Sequence, residues 1–93
     1  MTMPKFPLGR MLITRGVQSA LNYGDFNLVV QLFGRHQSGH WGEVDAEDWA
    51  RNDLALQDGD RLVSAYTLPN GVKLWVITEA DRSATTALLP EES

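Results

Sequence analysis

Cysteine is absent from this chain, so disulfide staples, thiolate-ligated zinc and a thiol nucleophile are all excluded. The absence also fits a reducing compartment. No apolar run approaches the roughly 18–20 residues of a helical membrane span, and no signal-peptide core follows the N-terminus. The expectation is a cytoplasmic protein. Internal repeats and low-complexity tracts are missing as well. Positive charge is scarce: 8 Lys and Arg stand against 12 Asp and Glu, a net of −4. Affinity for nucleic acid comes mainly from neutralising phosphates with Lys and Arg, so no direct nucleic-acid binding is expected. There is no G-x-S-x-G elbow, P-loop, G-x-G-x-x-G or H-E-x-x-H pattern, and no cofactor is expected.

What is present is ordinary globular material. The chain has 93 residues, 43% of them apolar and 22% charged, enough for one core and too little for two. Residues 1–10 hold Pro4, Pro7 and Gly9 and read as an N-terminal arm; residues 11–93 read as a single α+β domain.

Met11–Thr14 is a short apolar run, either a strand or the lead into a helix. Val17, Ala20 and Leu21 then recur at helical spacing, although Gly16 weakens that helix. Asp25 is a good N-cap for a second helix from Phe26 to Gln37, with Phe26, Val29, Val30 and Phe33 on its apolar side. Asp45 caps a third from Ala46 to about Gln57, with acids in the first turn where the helix dipole favours them. On that helix Trp49, Asp53 and Leu56 share one side. The period then changes from 3.6 to 2. Arg61–Thr67, Val72–Thr78 and Ser83–Leu89 read as three strands of an antiparallel meander, so the expected fold is two or three helices followed by a three-stranded sheet.

Asn70-Gly71 predicts a two-residue type I′ hairpin loop. That loop sets Tyr66 opposite Trp75, Ser64 opposite Ile77 and Val63 opposite Thr78. Glu79–Arg82 forms the next turn and places Ala84 opposite Ile77. Leu62, Tyr66, Trp75, Ile77 and Leu88 are then expected on one sheet face. Val63, Ala65, Leu74, Val76, Ala87 and Leu89 fall on the other. Helices cover one face. The second is either a contact surface or lies under the arm, through Phe6, Leu8, Met11 and Ile13.

The negative charge is concentrated. Residues 1–40 carry a net of +3, whereas Glu43, Asp45, Glu47, Asp48, Asp53, Asp58 and Asp60 stand against Arg51 alone, a net of −6 over residues 43–60. Such a segment is either a solvated helix face or a field that steers a basic partner and imitates a phosphate backbone. His36 and His40 have the i, i+4 spacing of helical metal ligands, but Gly39 lies between them. They read better as helix-end histidines interacting with the dipole, and no metal site is expected. In the turn, Asp81 closes the loop and Arg82 pairs with Glu79; alternatively these side chains form a recognition loop. Small RelE-type and barnase-like RNases also place helices before an antiparallel sheet. By that analogy His36, His40, Arg61, Lys73, Thr78, Glu79 and Arg82 would be the catalytic candidates.

One resemblance is more specific. The Trp41-Gly42 pair precedes a helix, and the block from Leu74 to Glu91 reads LWVITEADRSATTALLPE. These features, with Leu12–Val17 (LITRGV), resemble the small "plasmid-related" proteins of plasmids, integrative elements and prophages of proteobacteria. The resemblance implies a mobile-element setting and carries over no catalytic residue. Compact acidic proteins of that origin are often inhibitors of host defence, of anti-CRISPR or anti-restriction type. They act by surface occlusion or nucleic-acid mimicry against a basic nucleic-acid-binding surface. The expected partner-binding residues are Glu43, Asp45, Glu47, Asp48 and Asp53, the sheet aromatics Tyr66 and Trp75, and the turn residues Glu79, Asp81 and Arg82. An RNase toxin and a homodimeric module using the second sheet face are the alternatives.

Overall fold

The computed structural model describes residues 3–93. Thr14 opens the first helix by accepting the Val17 amide on its side chain, and Asp45 opens the third by accepting the Asp48 amide at 2.8 Å. These caps satisfy amides that have no partner within the helix. The elements run β1 (Arg10–Ile13), α1 (Arg15–Ala20), α2 (Asp25–Gln37), α3 (Ala46–Asp58), β2 (Leu62–Thr67), β3 (Lys73–Thr78) and β4 (Ala84–Leu88), closed by a 3-10 turn at Pro90–Glu92. Asp25 is the first residue of α2 rather than its cap. Its carboxylate accepts from the Asn22 amide and the Asn70 side chain instead.

The class is α+β, but the sheet differs from a three-stranded meander. It has four strands in the order β1-β4-β3-β2, and β1 lies parallel to β4. The short Met11–Ile13 run becomes a strand only because a distant segment offers it a ladder, which no local pattern announces. Both β3 and β4 are therefore interior.

The hairpin register also differs, by one residue. Tyr66 lies opposite Leu74, Ser64 opposite Val76 and Val63 opposite Ile77. Pro69 is the cause. Its fixed φ suits the second position of a type I turn, closed by the Gly71 amide on the Leu68 carbonyl at 2.8 Å. Gly71 follows at φ 87, and Asn70 keeps a negative φ. The loop is Pro69-Asn70-Gly71, a type I turn with a glycine bulge, instead of a two-residue type I′ loop. Since side chains alternate, the slip moves Tyr66 and Trp75 to opposite faces. The β3–β4 register differs by two, with Ile77 opposite Thr86, which leaves the faces unchanged.

The inner face thus carries Leu62, Ser64 and Tyr66, then Leu74, Val76 and Thr78, then Thr85 and Ala87, all buried. Val17, Val29, Leu32 and Phe33 pack on it from α1 and α2. Beside them, Phe6, Trp41, Ala55 and Leu62 form a second cluster. Phe6 and Leu8 go into the helix side of the sheet, so the arm does not cover the other face. That face carries Val63, Ala65, Trp75 and Thr86, all half-buried, with Ile77 and Leu88 buried between them and Leu12 exposed at the edge.

The β2 edge is closed. The Asn52 side-chain amide donates to the Val63 carbonyl at 2.7 Å and accepts from the Val63 amide at 3.2 Å, as a neighbouring strand would. Trp41 and Glu43 bond the backbone of Ala65 around Gly42. A side chain at Gly42, which has φ 75, would collide with the Ala65 carbonyl. Covering an edge in this way blocks pairing with other chains. Asn52 and Ala55 form the buried stripe of α3, while Trp49 and Asp53 point outward. Asn52→Ala leaves a strand amide and carbonyl unpaired, and should cost about 2 kcal/mol in urea unfolding, against less than about 0.5 kcal/mol for the exposed Gln57→Ala.

Candidate functional site

Helical spacing places His36 in line with Val29 and Phe33, on the stripe that α2 buries. Its ring is fully enclosed, edge-on to Phe6 with centroids 5.3 Å apart and to Trp41 at 5.4 Å. The corrected register brings Ser64 and Thr78 beneath it from β2 and β3. His36 Nδ1 lies 2.5 Å from Ser64 Oγ, and Nε2 lies 2.9 Å from Thr78 Oγ1. Thr78 continues to Thr85 on β4 at 2.7 Å, and Thr85 donates to the Leu8 carbonyl at 2.7 Å.

The final acceptor fixes every proton in the chain. A carbonyl only accepts, so Thr85 donates to Leu8 and Thr78 donates to Thr85. Thr78 must then accept from His36 Nε2–H. Nδ1 is left as the acceptor for the Ser64 hydroxyl. The imidazole is neutral and in one tautomer. A second ring proton would meet the Ser64 hydroxyl donor with another donor. Burial, followed by the positive field of Arg82, pushes the His36 pKa down to about 3. His36 is thus a strut between a helix and two strands, not a helix-end histidine.

Ser64 beside His36 has the composition of a hydroxyl nucleophile with its base. Both are fully buried, however, and the proton chain ends on a backbone carbonyl. Two surface clefts, of about 260 and 410 Å³, are lined by Val44, Asp48, Arg51, Asn52, Arg61 and Val63, and by Ala20, Val72, Lys73, Leu89, Pro90 and Glu91. Neither reaches this pair. His40 is exposed; its carbonyl accepts from the Tyr66 hydroxyl at 2.5 Å and its amide donates to the Arg35 carbonyl at 3.0 Å. Among the described residues, no three His, Asp or Glu side chains gather as a metal-binding group, and no helix is long and apolar enough to cross a membrane.

Arg82 sits in the left-handed region at φ 62, which turns its guanidinium inward. It donates to the carbonyls of Asp60 at 2.7 Å and of Glu79, Ala80 and Ala55 at 3.1 Å each. It also lies 5.7 Å from the centre of the Phe6 ring. It ties the end of α3 to the β3–β4 turn. Arg82 does not pair with the Glu79 carboxylate, which instead stands 3.9 Å from Arg61. Asp81 does close the turn: its carboxylate accepts from the Ser83 amide at 2.9 Å, and hydrogen bonding to Ser83 lowers its pKa.

The acidic residues of 43–60 are all exposed, but they do not share one surface. Helical spacing sets Glu47 and Asp48 on one flank of α3, beside Arg51, which lies 3.5 Å from Asp48. Asp53 projects on the opposite flank and accepts from the Trp41 indole at 3.0 Å. Glu43 accepts from the Thr67 hydroxyl, and Asp45 is spent on its cap. Of the aromatic pair, Tyr66 is only 3% exposed, on the inner face. Trp75 stands half-buried on the open face, between Ala65 and Leu88. The central rows of that face, Val63-Ile77-Thr86-Leu12 and Ala65-Trp75-Leu88, are apolar apart from Thr86. Its ends carry Arg10, Arg61, Glu79 and Lys73.

Sequence reading missed Ser64, Thr85 and Asn52. Ser64 and Thr85 were legible as hydroxyls on inward strand positions once the register was known. Nothing local marked Asn52. Comparison of the chain with family models, with curated proteins and with solved structures gives no match.

The folded pKa of His36 lies below its unfolded value near 6.5. The unfolded chain therefore binds the extra proton between about pH 6.5 and 3, and stability falls with pH across that window. From pH 7 to pH 5 the wild type should lose about 2 kcal/mol through His36. A His36→Gln chain, less stable at pH 7, should lose that slope; urea unfolding at both pH values measures it. Arg82→Lys keeps the charge but cannot span four carbonyls, and should cost roughly 2–3 kcal/mol in the same assay.

Proposed function

We propose that this chain is a non-catalytic protein-binding module. Read with its resemblance to the small plasmid-related proteins, it is an inhibitor of a host defence complex, of anti-CRISPR or anti-restriction type, acting by surface occlusion. One observation carries the non-catalytic part. Of the side chains with chemical capacity, His36, Ser64 and Thr78 are buried and bonded to one another, and the half-buried Arg82 is spent on backbone carbonyls. This also draws support away from an RNase reading, whose candidates included His36, Thr78 and Arg82.

Occlusion draws more support than mimicry. A phosphate mimic needs carboxylates spaced along one surface, whereas Glu47 and Asp48 are separated from Asp53 by the width of α3. The open sheet face has an apolar centre with a partly exposed Trp and a charged rim, the composition of a protein contact surface.

Two measurements test the reading. Labelled RNA incubated with the purified chain should stay intact, and expression in bacteria should not arrest growth; RNA cleavage relieved by Arg82→Ala would overturn it. Capture from a host lysate should survive the combined change of Glu47, Asp48 and Asp53 to Lys. It should fall at least about tenfold with Trp75→Glu, with circular dichroism confirming that both variants fold. Loss on charge reversal alone would restore mimicry.

A further inference from the structure

The two edges of the sheet are finished differently. Asn52 and the Trp41–Glu43 segment occupy the backbone groups of β2, whereas the outer side of β1 is bare. Arg10 and Thr14 turn their amides toward β4, onto the Ser83 and Ala87 carbonyls at 3.0 and 3.2 Å. The alternate residues, Met11 and Ile13, therefore direct their amides and carbonyls away from the sheet. Among the described residues, no other segment bonds the Met11 or Ile13 backbone on that side. Met11 is 60% and Leu12 38% exposed, so no helix overhangs this edge. The register with β4 runs without a bulge, and the strand holds no proline. An apolar edge with unpaired ladder groups and none of these devices is a template for another strand.

Charge adds a second, independent observation. The ion pairs among the described residues are Arg51–Asp48 and Arg61–Glu79. Arg10, at the start of β1, thus meets no carboxylate in its own copy. At the other end of the strand, the Thr14 hydroxyl donates to Glu92 Oε1 at 2.7 Å. That bond holds an exposed carboxylate beside the end of β1, and Arg15, next in the chain, does not pair with it. The bare edge has an unpaired cation at one end and an unpaired anion at the other.

We propose that β1 pairs antiparallel with β1 of a second copy of this chain, about a two-fold axis at Leu12, joining the two sheets into one. A two-fold contact sets residue i against residue j, and j against i. With Leu12 against Leu12, Met11 faces Ile13 and Arg10 faces Thr14. Met11 and Ile13 are then the hydrogen-bonded pairs, each amide donating to the other's carbonyl, and theirs are the groups that point outward. Arg10 faces Thr14 with Cβ atoms about 4.5–5.5 Å apart, so each guanidinium comes within reach of the other copy's Glu92. The two Arg10 side chains lie at opposite ends, clear of each other. The edge is thus its own complement in backbone groups and in charge, which selects a second copy as its occupant. The register is fixed as well. A shift by two residues sets Ile13 against Gly9, at φ 65, or Met11 against Arg15, inside α1. So short a ladder buries less than the roughly 800 Å² per partner of a standard stable interface. The dimer is accordingly weak, dissociating between about 10 µM and 1 mM.

Sedimentation equilibrium from about 5 µM to about 1 mM, a range that brackets that affinity, tests the proposal. The expected result is a reversible monomer–dimer equilibrium, with the Met11 and Ile13 amides exchanging more slowly as concentration rises. Met11→Pro removes an outward amide and leaves the β4 ladder intact, and should weaken the dimer at least about tenfold. Arg10→Glu and Glu92→Arg should each weaken it several-fold, because like charges then meet at both ends. Mixing those two variants should restore association, since each supplies the charge that the other lacks. Circular dichroism confirms that every variant folds. Three results would overturn the proposal: a monomer at every concentration, which would leave the edge to a strand of another protein; a dimer indifferent to Met11→Pro; or a mixture that associates no better than either charge variant alone. None of these bears on RNA cleavage or on target capture, so the binding-module reading stands or falls separately.

Discussion

A single uncharged imidazole sets the terms for the interior of this protein. His36 accepts a hydrogen bond from one strand and donates one to another, and the chain of donors ends on the Leu8 carbonyl, which cannot donate. Every hydroxyl beneath α2 is thereby oriented. Had the ring been charged, it would have carried an extra donor into a site enclosed by Phe6 and Trp41, where desolvation disfavours charge. The arm, α2, β2, β3 and β4 all meet at this group. A domain with a small core gains directional bonds there that hydrophobic contact alone does not supply.

Arg82 and Asn52 extend the same economy to the periphery. Each is a polar side chain that completes backbone groups left over by secondary structure. Arg82 gathers carbonyls at the end of α3 and in the β3–β4 turn; Asn52 supplies the missing neighbour of β2. In the β3–β4 turn, the Arg82 guanidinium and the Asp81 carboxylate are both engaged in holding the backbone. The open side of the sheet and the outer side of α2 are the surfaces that these fittings leave unused. The first has an apolar centre and a charged rim. The second carries no ionisable side chain at Asn27, Val30, Gln31 and Gly34.

The caps, α2, α3 and the three C-terminal strands were legible in the sequence because each rests on contacts a few residues apart: Asp45 on Asp48, an apolar repeat of 3.6, an alternation of 2. The α+β class follows from their order. The acidic segment was legible too, as a run of letters. Which carboxylates share a surface was decided by the direction in which α3 buries Asn52 and Ala55. That choice places Asp53 beside Trp41 and away from Glu47.

Turn chemistry and tertiary structure decided the rest. Pro69 and Gly71 fix a three-residue loop, and that one extra residue decides that Tyr66 is buried and Trp75 is not. The pairing of β1 with β4 joins segments some seventy residues apart, beyond the reach of any local pattern. The role of His36 depends on groups contributed by four separate elements and the arm. By itself the sequence determined which segments are helix or strand, because those preferences are settled over one or two turns of chain. The fourth strand and the protonation state of the buried histidine were settled only when distant segments met, because each depends on which donor and acceptor stand about 3 Å from each other.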